Sequence, residues 1–339
     1  MQLTHEQLSG AVNGVLDVVP QENGYYLRRF TDAQRDHQYT PENRFYRSSF
    51  MAPGAKLDFT TDAGTLTVHL TNCDFKSGHR VYAVDLWEDG VLTAHRPRRA
   101  EHDGPIETPI PLEDIRETFT LQPGEKRVEL FFPWNVRYLV KSVELDDGAT
   151  FVPTTYKRAM IAFGDSITAS CTVQFPSFAY TPRVARALDA RLYSYAIGGE
   201  VFSAEKLLPG SFPKADFVTV AYGTNGRLDG SGEPWQKGLE GFFGALDAAF
   251  PDTPVFVILP IHRMGEEGDD GGRFPLRIAR QCIMEACREH KQVTVLHGEN
   301  YVSWDSALYE DAILHPNDMG MCFYAENLVA DLKKHLSIE

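Results

Sequence analysis

The chain has 339 residues, of which 43% are hydrophobic and 24% are charged, and its formal net charge is −14. This length exceeds the size at which a single hydrophobic core usually stops growing, so we expect two globular domains. The acidic balance argues against nucleic acid or an anionic membrane as a partner, because both attract clustered lysine and arginine.

The start of the sequence has no basic segment followed by an apolar core, and no apolar run approaches the length of a membrane span. We therefore expect a cytoplasmic protein. The five cysteines are scattered and form no CxxC pair, which is typical of reduced packing residues and predicts neither disulfides nor a zinc site.

The first 150 residues divide into a short helical segment and a long β region. Residues 1–20 place Leu8, Val12 and Val15 near helical spacing, which predicts an amphipathic helix. Residues 24–152 contain short alternating apolar runs separated by turn residues, which predicts an all-β domain, an antiparallel sandwich or barrel. Asp89-Gly90 supplies the turn of a hairpin there.

The β region is rich in aromatic residues, among them Tyr82, Trp87 and Trp134. Aromatic rings stack on sugar faces, so some of them could line a carbohydrate-binding surface. Core packing is the commoner role of such residues in a sandwich, and we expect it for most of them.

The pattern changes within residues 146–158, so we predict one domain over residues 1–152 and a second over 153–339. Apolar strand-like runs follow at residues 160–164, 191–197, 217–223, 255–260 and 293–298, and helical segments lie near residues 177–188, 235–249, 275–290 and 319–336. Alternating strands and helices predict an α/β domain with a parallel sheet that is covered by helices on both faces.

Polar and glycine residues follow the ends of these strands. Ser166 follows the first strand, Gly199 the second and Asn225 the third, and His315 precedes the last helix. Since the carboxyl ends of parallel strands meet at one edge of the sheet, we expect these residues to lie together. Taken alone, the Gly-Asp-Ser tripeptide is more typical of a turn.

Together the four residues fit acyl transfer. A serine hydroxyl becomes a nucleophile when a histidine removes its proton, so Ser166 and His315 are the candidate nucleophile and base. The backbone N–H groups of Ser166 and Gly199 and the side-chain amide of Asn225 are the candidate oxyanion hole.

These four blocks, in this order over residues 160–321, resemble the SGNH or GDSL hydrolases, a superfamily of esterases, lipases, thioesterases and carbohydrate deacetylases. The resemblance implies a three-layer αβα fold of flavodoxin-like type with the serine after the first strand. It also implies that the asparagine belongs to a Gly-Thr-Asn motif and that the oxyanion glycine is the residue immediately before Glu200. It implies serine chemistry without a cofactor, and the His and Cys residues lack metal-ligand spacing.

Two positions depart from the family pattern. The family usually has an aspartate three residues before the histidine, where this chain has Ala312; Asp311 lies four residues before and Glu310 five. A one-residue bulge would bring Asp311 to the imidazole, which we favour over a Ser–His dyad oriented by a backbone carbonyl. The second departure is Gly226, where the family more often has aspartate.

Other residues near the strand ends are weaker candidates. Asp165, Glu200 and His262 are possible substrate contacts, although Asp165 is mainly expected to stabilise a turn, as Asp318 is expected to cap a helix. The loops at residues 226–233 and 263–272 are rich in glycine and acidic residues, and they could close over a substrate.

The resulting hypothesis is a serine esterase that removes a short acyl group, most simply acetyl, from a small-molecule substrate such as an acetylated sugar. The sugar depends on a resemblance to two-domain carbohydrate acetyl esterases, which implies a jelly-roll-like all-β sandwich before the hydrolase domain. This remains an analogy, because a fold does not fix a substrate. Lysophospholipase or acyl-thioesterase activity and a non-catalytic carbohydrate-binding role are the alternatives. The sequence does not indicate an oligomeric state.

Overall fold

The computed structural model describes residues 1–43, 45–75, 81–101, 110–264, 266 and 272–338. The chain forms two compact units. The first comprises Met1–Arg29, Ser49–Tyr156 and Gln174–Ser177, and the second comprises Phe30–Ser48, Lys157–Val173 and Phe178–Glu339.

The first unit is an antiparallel β sandwich. Its strands are β1 (Val12–Asn13), β2 (Asp17–Gln21), β3 (Gly24–Arg28), β4 (Lys56–Thr61), β5 (Thr65–Phe75), β6 (Val81–Glu88), β7 (Val91–Arg99), β8 (Ile110–Pro111), β9 (Ile115–Thr120), β10 (Lys126–Phe131), β11 (Val136–Leu145) and β12 (Val152–Pro153). One sheet has the order β1-β4-β10-β6-β7 with β12 beside β4, and the other β2-β3-β11-β5-β8 with β9 beside β5. This confirms the predicted all-β architecture.

Alternation of apolar side chains builds the core of this unit. Strands such as β11 bury nearly every second residue, and both sheets contribute apolar residues to one cluster between them. Phe132, Tyr138 and Trp134 are among the buried aromatics. The hairpin prediction is confirmed: β6 and β7 pair across Asp89 and Gly90, which have φ of 45° and 85°.

The N-terminal helix is shorter than predicted. Helix α1 spans His5–Ala11, and Thr4 and Gln7 form a capping box at its start. Strands β1 and β2 follow within residues 12–21, where the sequence predicted that the helix would continue. Gly14 has φ of 96°, and a Cβ there would lie 2.5 Å from the Gly54 carbonyl oxygen, so the chain must leave the helix and pass close to β4. The valines at helical spacing serve the strands equally well.

A segment that the sequence placed in the β region belongs to the second unit. Residues 30–48 contain helix α2 (Asp32–Gln38), and the rings of Phe30 and Tyr195 pack at 5.3 Å in that unit's core. Nothing in the local alternation distinguishes this segment, because its apolar side chains are buried by residues distant in sequence.

The second unit has one parallel sheet. Its strands are β13 (Arg158–Gly164), β14 (Ala190–Ser194), β15 (Phe217–Ala221), β16 (Val255–Ile258) and β17 (Val293–Leu296), in the order β14-β13-β15-β16-β17. Its remaining α-helices are α3 (Tyr180–Ala187), α4 (Glu233–Ala249), α5 (Leu276–Cys287) and α6 (Asp318–Leu336). Short 3₁₀ turns occur at Arg47–Phe50, Pro176–Phe178, Ala204–Lys206, Gly298–Asn300 and Ser306–Leu308.

Two pairs of helices cover this sheet. Helices α4 and α5 pack against each other and share a core cluster with the sheet, whereas α3 and α6 contact each other through the stacked rings of Tyr180 and Tyr324, 4.2 Å apart. This confirms the predicted αβα fold. Within the described ranges, no helix is both long and apolar enough to cross a bilayer.

Candidate active site

Ser166 lies at the carboxyl edge of the parallel sheet. Strand β13 ends at Gly164, and the chain then turns tightly, with the Ala169 N–H donating to the Asp165 carbonyl at 2.9 Å. A Cβ at Gly164 would lie 1.9 Å from Thr168 Oγ1, so the turn closes directly onto the strand end and leaves no space for a side chain there. The turn therefore fixes Ser166 at the edge.

His315 is brought to Ser166 from 149 residues away. The Ser166 Oγ and His315 Nε2 atoms are 2.8 Å apart. The segment is held in place because Thr172 Oγ1 donates to the Pro316 carbonyl at 2.8 Å, and helix α6 begins just beyond, capped by Asn317. The serine hydroxyl is therefore in hydrogen-bond contact with an imidazole.

Asp311 occupies the other side of the imidazole. Its Oδ2 lies 2.6 Å from His315 Nδ1, while its Oδ1 accepts the backbone N–H groups of Ile313, Leu314 and His315 at 2.8–3.0 Å. Burial raises the pKa of Asp311, but the hydrogen bonds outweigh it and lower the pKa to about 2. The carboxylate is therefore ionised at neutral pH and faces the imidazole.

The glycine loop after β14 packs against Ser166. The Ile197 N–H donates to the Gly164 carbonyl at 3.1 Å, and a Cβ at Gly198 would lie 3.6 Å from Ser166 Cβ. Gly199 has φ of 86°, a conformation that glycine adopts without strain. Among the described residues, no acceptor contacts the Ser166 N–H, so this donor is available to a ligand.

Asn225 reaches the same edge, but its amide already has acceptors. The Nδ2 atom lies 3.2 Å from both Asp165 Oδ2 and the Glu200 carbonyl oxygen. An NH₂ group has two hydrogens, so donation to an oxyanion would require sharing one of them. The structure places Asn225 beside the serine turn and the glycine loop.

Asp165 and Glu200 are buried behind this edge, each at 1% exposure. Asp165 Oδ1 accepts the Ile167 N–H at 3.0 Å. Burial and the nearby Glu200 charge raise the pKa of Asp165 to about 7, against the lowering effect of the Ile167 N–H. Because both side chains bond within the protein, we assign them to support of the site and not to contact with substrate.

Lys206 was not identified from the sequence. Its ammonium forms a buried ion pair with the Glu200 carboxylate and lies 3.4 Å from the Tyr39 hydroxyl. Burial lowers the pKa of Lys206, and Glu200 opposes that effect. No motif surrounds this lysine, so only its buried position and its partner reveal it.

His262 follows β16 on the same sheet edge. Its Nδ1 lies 3.0 Å from Glu266 Oε1, and Glu266 is also paired with Arg280 at 2.8 Å. The His262 and Trp304 rings are 4.5 Å apart. Within the described chain, His262 forms no hydrogen bond with Ser166 or His315.

The loop at residues 226–233 begins with a firm anchor. Gly226 has φ of 75°, which explains glycine where related sequences more often have aspartate. Arg227 is buried, and its carbonyl accepts the Phe274 N–H at 2.9 Å. In the loop at 263–272, residues 265 and 267–271 lie outside the described residues, so closure of the two loops over substrate stays a prediction.

A hydroxyl, an imidazole and a carboxylate joined in this way activate serine for attack on an ester carbonyl. Fold and geometry together therefore define the class of serine hydrolases. In the ranges described, no three His, Cys, Asp or Glu side chains are grouped to hold a metal ion.

Residues 162–321 match the GDSL-like Lipase/Acylhydrolase family. This match covers most of the second unit and, together with the contact between Ser166 and His315, supports a serine hydrolase. A search of curated proteins found no significant match.

Solved structures share the fold over both units. The chain is similar to a salicylyl-acyltransferase from a tetracycline biosynthetic pathway, with a TM-score of 0.74, 20% identity and coverage of 96% of this chain and 94% of that one. It is also similar to an acetyl xylan esterase from Butyrivibrio proteoclasticus, with a TM-score of 0.59, 14% identity and coverage of 98% of this chain and 97% of that one. A family two carbohydrate esterase from Clostridium thermocellum is similar with a TM-score of 0.58, 16% identity and coverage of 85% of this chain and 94% of that one. At these identities the likeness establishes the fold.

Proposed function

We propose that the protein is an esterase that removes a short acyl group, most simply acetyl, from a hydroxyl of a sugar. The observation that carries the chemistry is the continuous chain from Ser166 through His315 to Asp311, with contacts of 2.8 and 2.6 Å. Such a chain deprotonates the serine at neutral pH while the carboxylate holds the imidazole in the required tautomer.

The reaction begins when Ser166 Oγ attacks the ester carbonyl carbon and its proton passes to His315 Nε2. The tetrahedral oxyanion is bound by the N–H groups of Ser166 and Gly199, with Asn225 as the third donor. When the tetrahedral intermediate collapses, the bond between the carbonyl carbon and the alcohol oxygen breaks. The alcohol oxygen takes the proton from His315, and an acyl-serine remains. Water then attacks the acyl-serine with His315 as base, releasing the carboxylic acid and regenerating the serine.

The sugar is supported by the relatives and by the two-unit architecture. The similar structures include an acetyl xylan esterase and a carbohydrate esterase in complex with cellohexaose, and the β-sandwich unit precedes most of the hydrolase unit as in those full-length matches. An acetyl group is the simplest acyl group consistent with them.

Hydrolysis of 4-nitrophenyl acetate by wild-type protein and Ser166→Ala tests the chemistry. We expect kcat/KM to fall by about 10³-fold or more, while the exposed Ser306→Ala control retains wild-type activity. Undiminished turnover by Ser166→Ala would refute the proposal.

A comparison of substrates then tests the specificity. The rate of hydrolysis should be higher for acetyl esters than for octanoyl esters, and acetylated xylo-oligosaccharides should be hydrolysed. Activity that rises with chain length would favour a lysophospholipase or thioesterase instead. Sugar binding without reaction of Ser166 with an organophosphonate would favour a non-catalytic role.

Acyl transfer to an alcohol is a second candidate, favoured by the likeness to the salicylyl-acyltransferase over 96% of this chain. It uses the same acyl-serine but replaces water by an acceptor hydroxyl in the second step. The ratio of transfer product to free acid, measured with a sugar acceptor present, distinguishes the two reactions.

A further inference from the structure

A second polar and aromatic cavity lies in the hydrolase unit outside the Ser166 site. It has a volume of about 420 Å³, within the range of small-molecule sites. Its walls include His262, Asn300, Ser303, Trp304, Phe323 and Asn327. Resting on the proposed esterase function, we propose that this cavity binds the sugar ring of the alcohol part of the ester.

The aromatic walls are open to solvent. Trp304 is 40% exposed and Phe323 is 43% exposed, which is unusual for large apolar side chains. The His262 ring packs at 4.5 Å from the Trp304 ring with an interplanar angle of 57°. Flat, exposed rings of this kind present the surface on which the C–H face of a pyranose stacks.

The polar walls carry groups that are available to a ligand. In the described part of the chain, the side chains of Asn300 and Ser303 make no hydrogen bond to protein, and Asn327 uses only its Nδ2, which donates to the Tyr301 carbonyl at 3.1 Å. Amide and hydroxyl groups can donate to and accept from sugar hydroxyls.

His262 is held rigidly at the cavity wall. Glu266 accepts from Arg280 and lies 3.0 Å from His262 Nδ1, so Glu266 engages one nitrogen of the ring and leaves Nε2 to other partners. A wall that is fixed before binding costs little conformational entropy when the ligand arrives.

The charge of the cavity selects a neutral ligand. Glu299 contributes a carboxylate, and the described residues of the walls include no lysine or arginine. A phosphate or carboxylate group would therefore be repelled, which disfavours a lysophospholipid headgroup and favours an uncharged polyhydroxyl ring.

Strand pairing and a backbone hydrogen bond connect the walls of the cavity to the segment that carries His315. Strand β16, which leads to His262, is paired with β15, and the Met264 N–H donates to the Ile313 carbonyl at 2.7 Å, two residues before His315. Phe323 lies on α6, about 8 Å along the axis from the helix start at Asp318. A sugar in this cavity and its ester at Ser166 therefore lie on the same edge of the sheet.

Steady-state kinetics with two substrates tests the assignment. For Trp304→Ala, kcat/KM for acetylated xylobiose should fall at least tenfold, mainly because KM rises. The kcat/KM for acetylated xylobiose divided by the kcat/KM for 4-nitrophenyl acetate should fall by a similar factor. Trp304→Phe should restore most of the loss because it retains a flat ring, and the exposed Val91→Ala control on β7 should match the wild type. Equal losses on both substrates, or no loss on the sugar ester, would overturn the assignment.

Binding separates this inference from the proposed reaction. Calorimetric titration of Ser166→Ala protein with unacetylated xylobiose should give binding that is lost in Ser166→Ala/Trp304→Ala. If wild-type protein hydrolyses no sugar ester but this Trp304-dependent binding is present, the proposed function fails and the sugar site stands. If sugar esters are hydrolysed and Trp304 affects neither binding nor KM, the site fails and the function stands.

Discussion

The Asp311 carboxylate lies 2.6 Å from His315 Nδ1 although it is four residues before the histidine, one more than the usual spacing of the family. Ala312 accommodates the extra residue with φ of 55°, in the left-handed region. The structure therefore contains a bulge that brings Asp311 to the imidazole, and a catalytic role for this carboxylate stays a prediction. Two predictions follow from this turn.

Asp311→Asn should reduce kcat for 4-nitrophenyl acetate by about 10²-fold or more, because an amide cannot stabilise the imidazolium or fix the tautomer as a carboxylate does. KM should change little. The neighbouring Glu310→Gln, which removes a carboxylate without a contact to the imidazole side chain, is the matched control. A kcat for Asp311→Asn equal to that of Glu310→Gln would contradict a catalytic role.

Ala312→Gly should preserve activity and raise the free energy of unfolding by about 1 kcal/mol, because glycine adopts a positive φ without the steric cost borne by alanine. Ala312→Val should lower both the activity and the free energy of unfolding, since a β-branched side chain is strained in this conformation. Urea unfolding and kcat measured on both variants check this. Equal stabilities for the two variants would show that the turn carries no strain.

Lys206→Met should destabilise the protein by about 3 kcal/mol, because it removes the cation that is paired with the buried Glu200 carboxylate. It should also lower kcat more than it changes KM, because the Glu200 carbonyl accepts the Asn225 amide. Adding Glu200→Gln should recover part of the stability.

The exposed pair of Lys237 and Glu233 provides the control for that experiment. Lys237→Met should change the free energy of unfolding by less than about 0.5 kcal/mol, since exposed ion pairs contribute little. A similar small effect for Lys206→Met would contradict the importance of the buried pair.

The raised pKa of Asp165 predicts that the free energy of unfolding depends on pH. Its pKa is about 7 in the folded protein, compared with about 3.9 for an unfolded aspartate. Between these values the folded state binds more protons, so this group makes stability fall as pH rises. Asp165→Asn removes this dependence, so its stability relative to wild type should improve by about 2 kcal/mol between pH 5.5 and 8.

Urea unfolding of wild type and Asp165→Asn at both pH values measures this difference. Costs of the substitution that do not depend on pH cancel in the subtraction. The same offset between the two proteins at pH 5.5 and pH 8 would mean that Asp165 does not titrate near neutrality.

The sequence determined the features that depend on local pattern. Continuous apolar runs become parallel strands, alternating runs become the sandwich, and Asp89-Gly90 becomes a hairpin turn, because side-chain periodicity decides which face is buried. The parallel arrangement also forces the strand ends together. That is why Ser166, Gly199 and Asn225 were predicted to lie at one edge from their positions alone.

Tertiary structure decided what depends on distant partners. Strands β1 and β2 form because they pair with β4 and β3, and Phe30 and Tyr39 join the core of the second unit together with Tyr195. The buried charge of Lys206 makes sense only beside Glu200, and the contact of Asp311 depends on one backbone angle at Ala312. Such contacts and backbone angles leave no periodic signal in the chain, so only the folded structure specifies them.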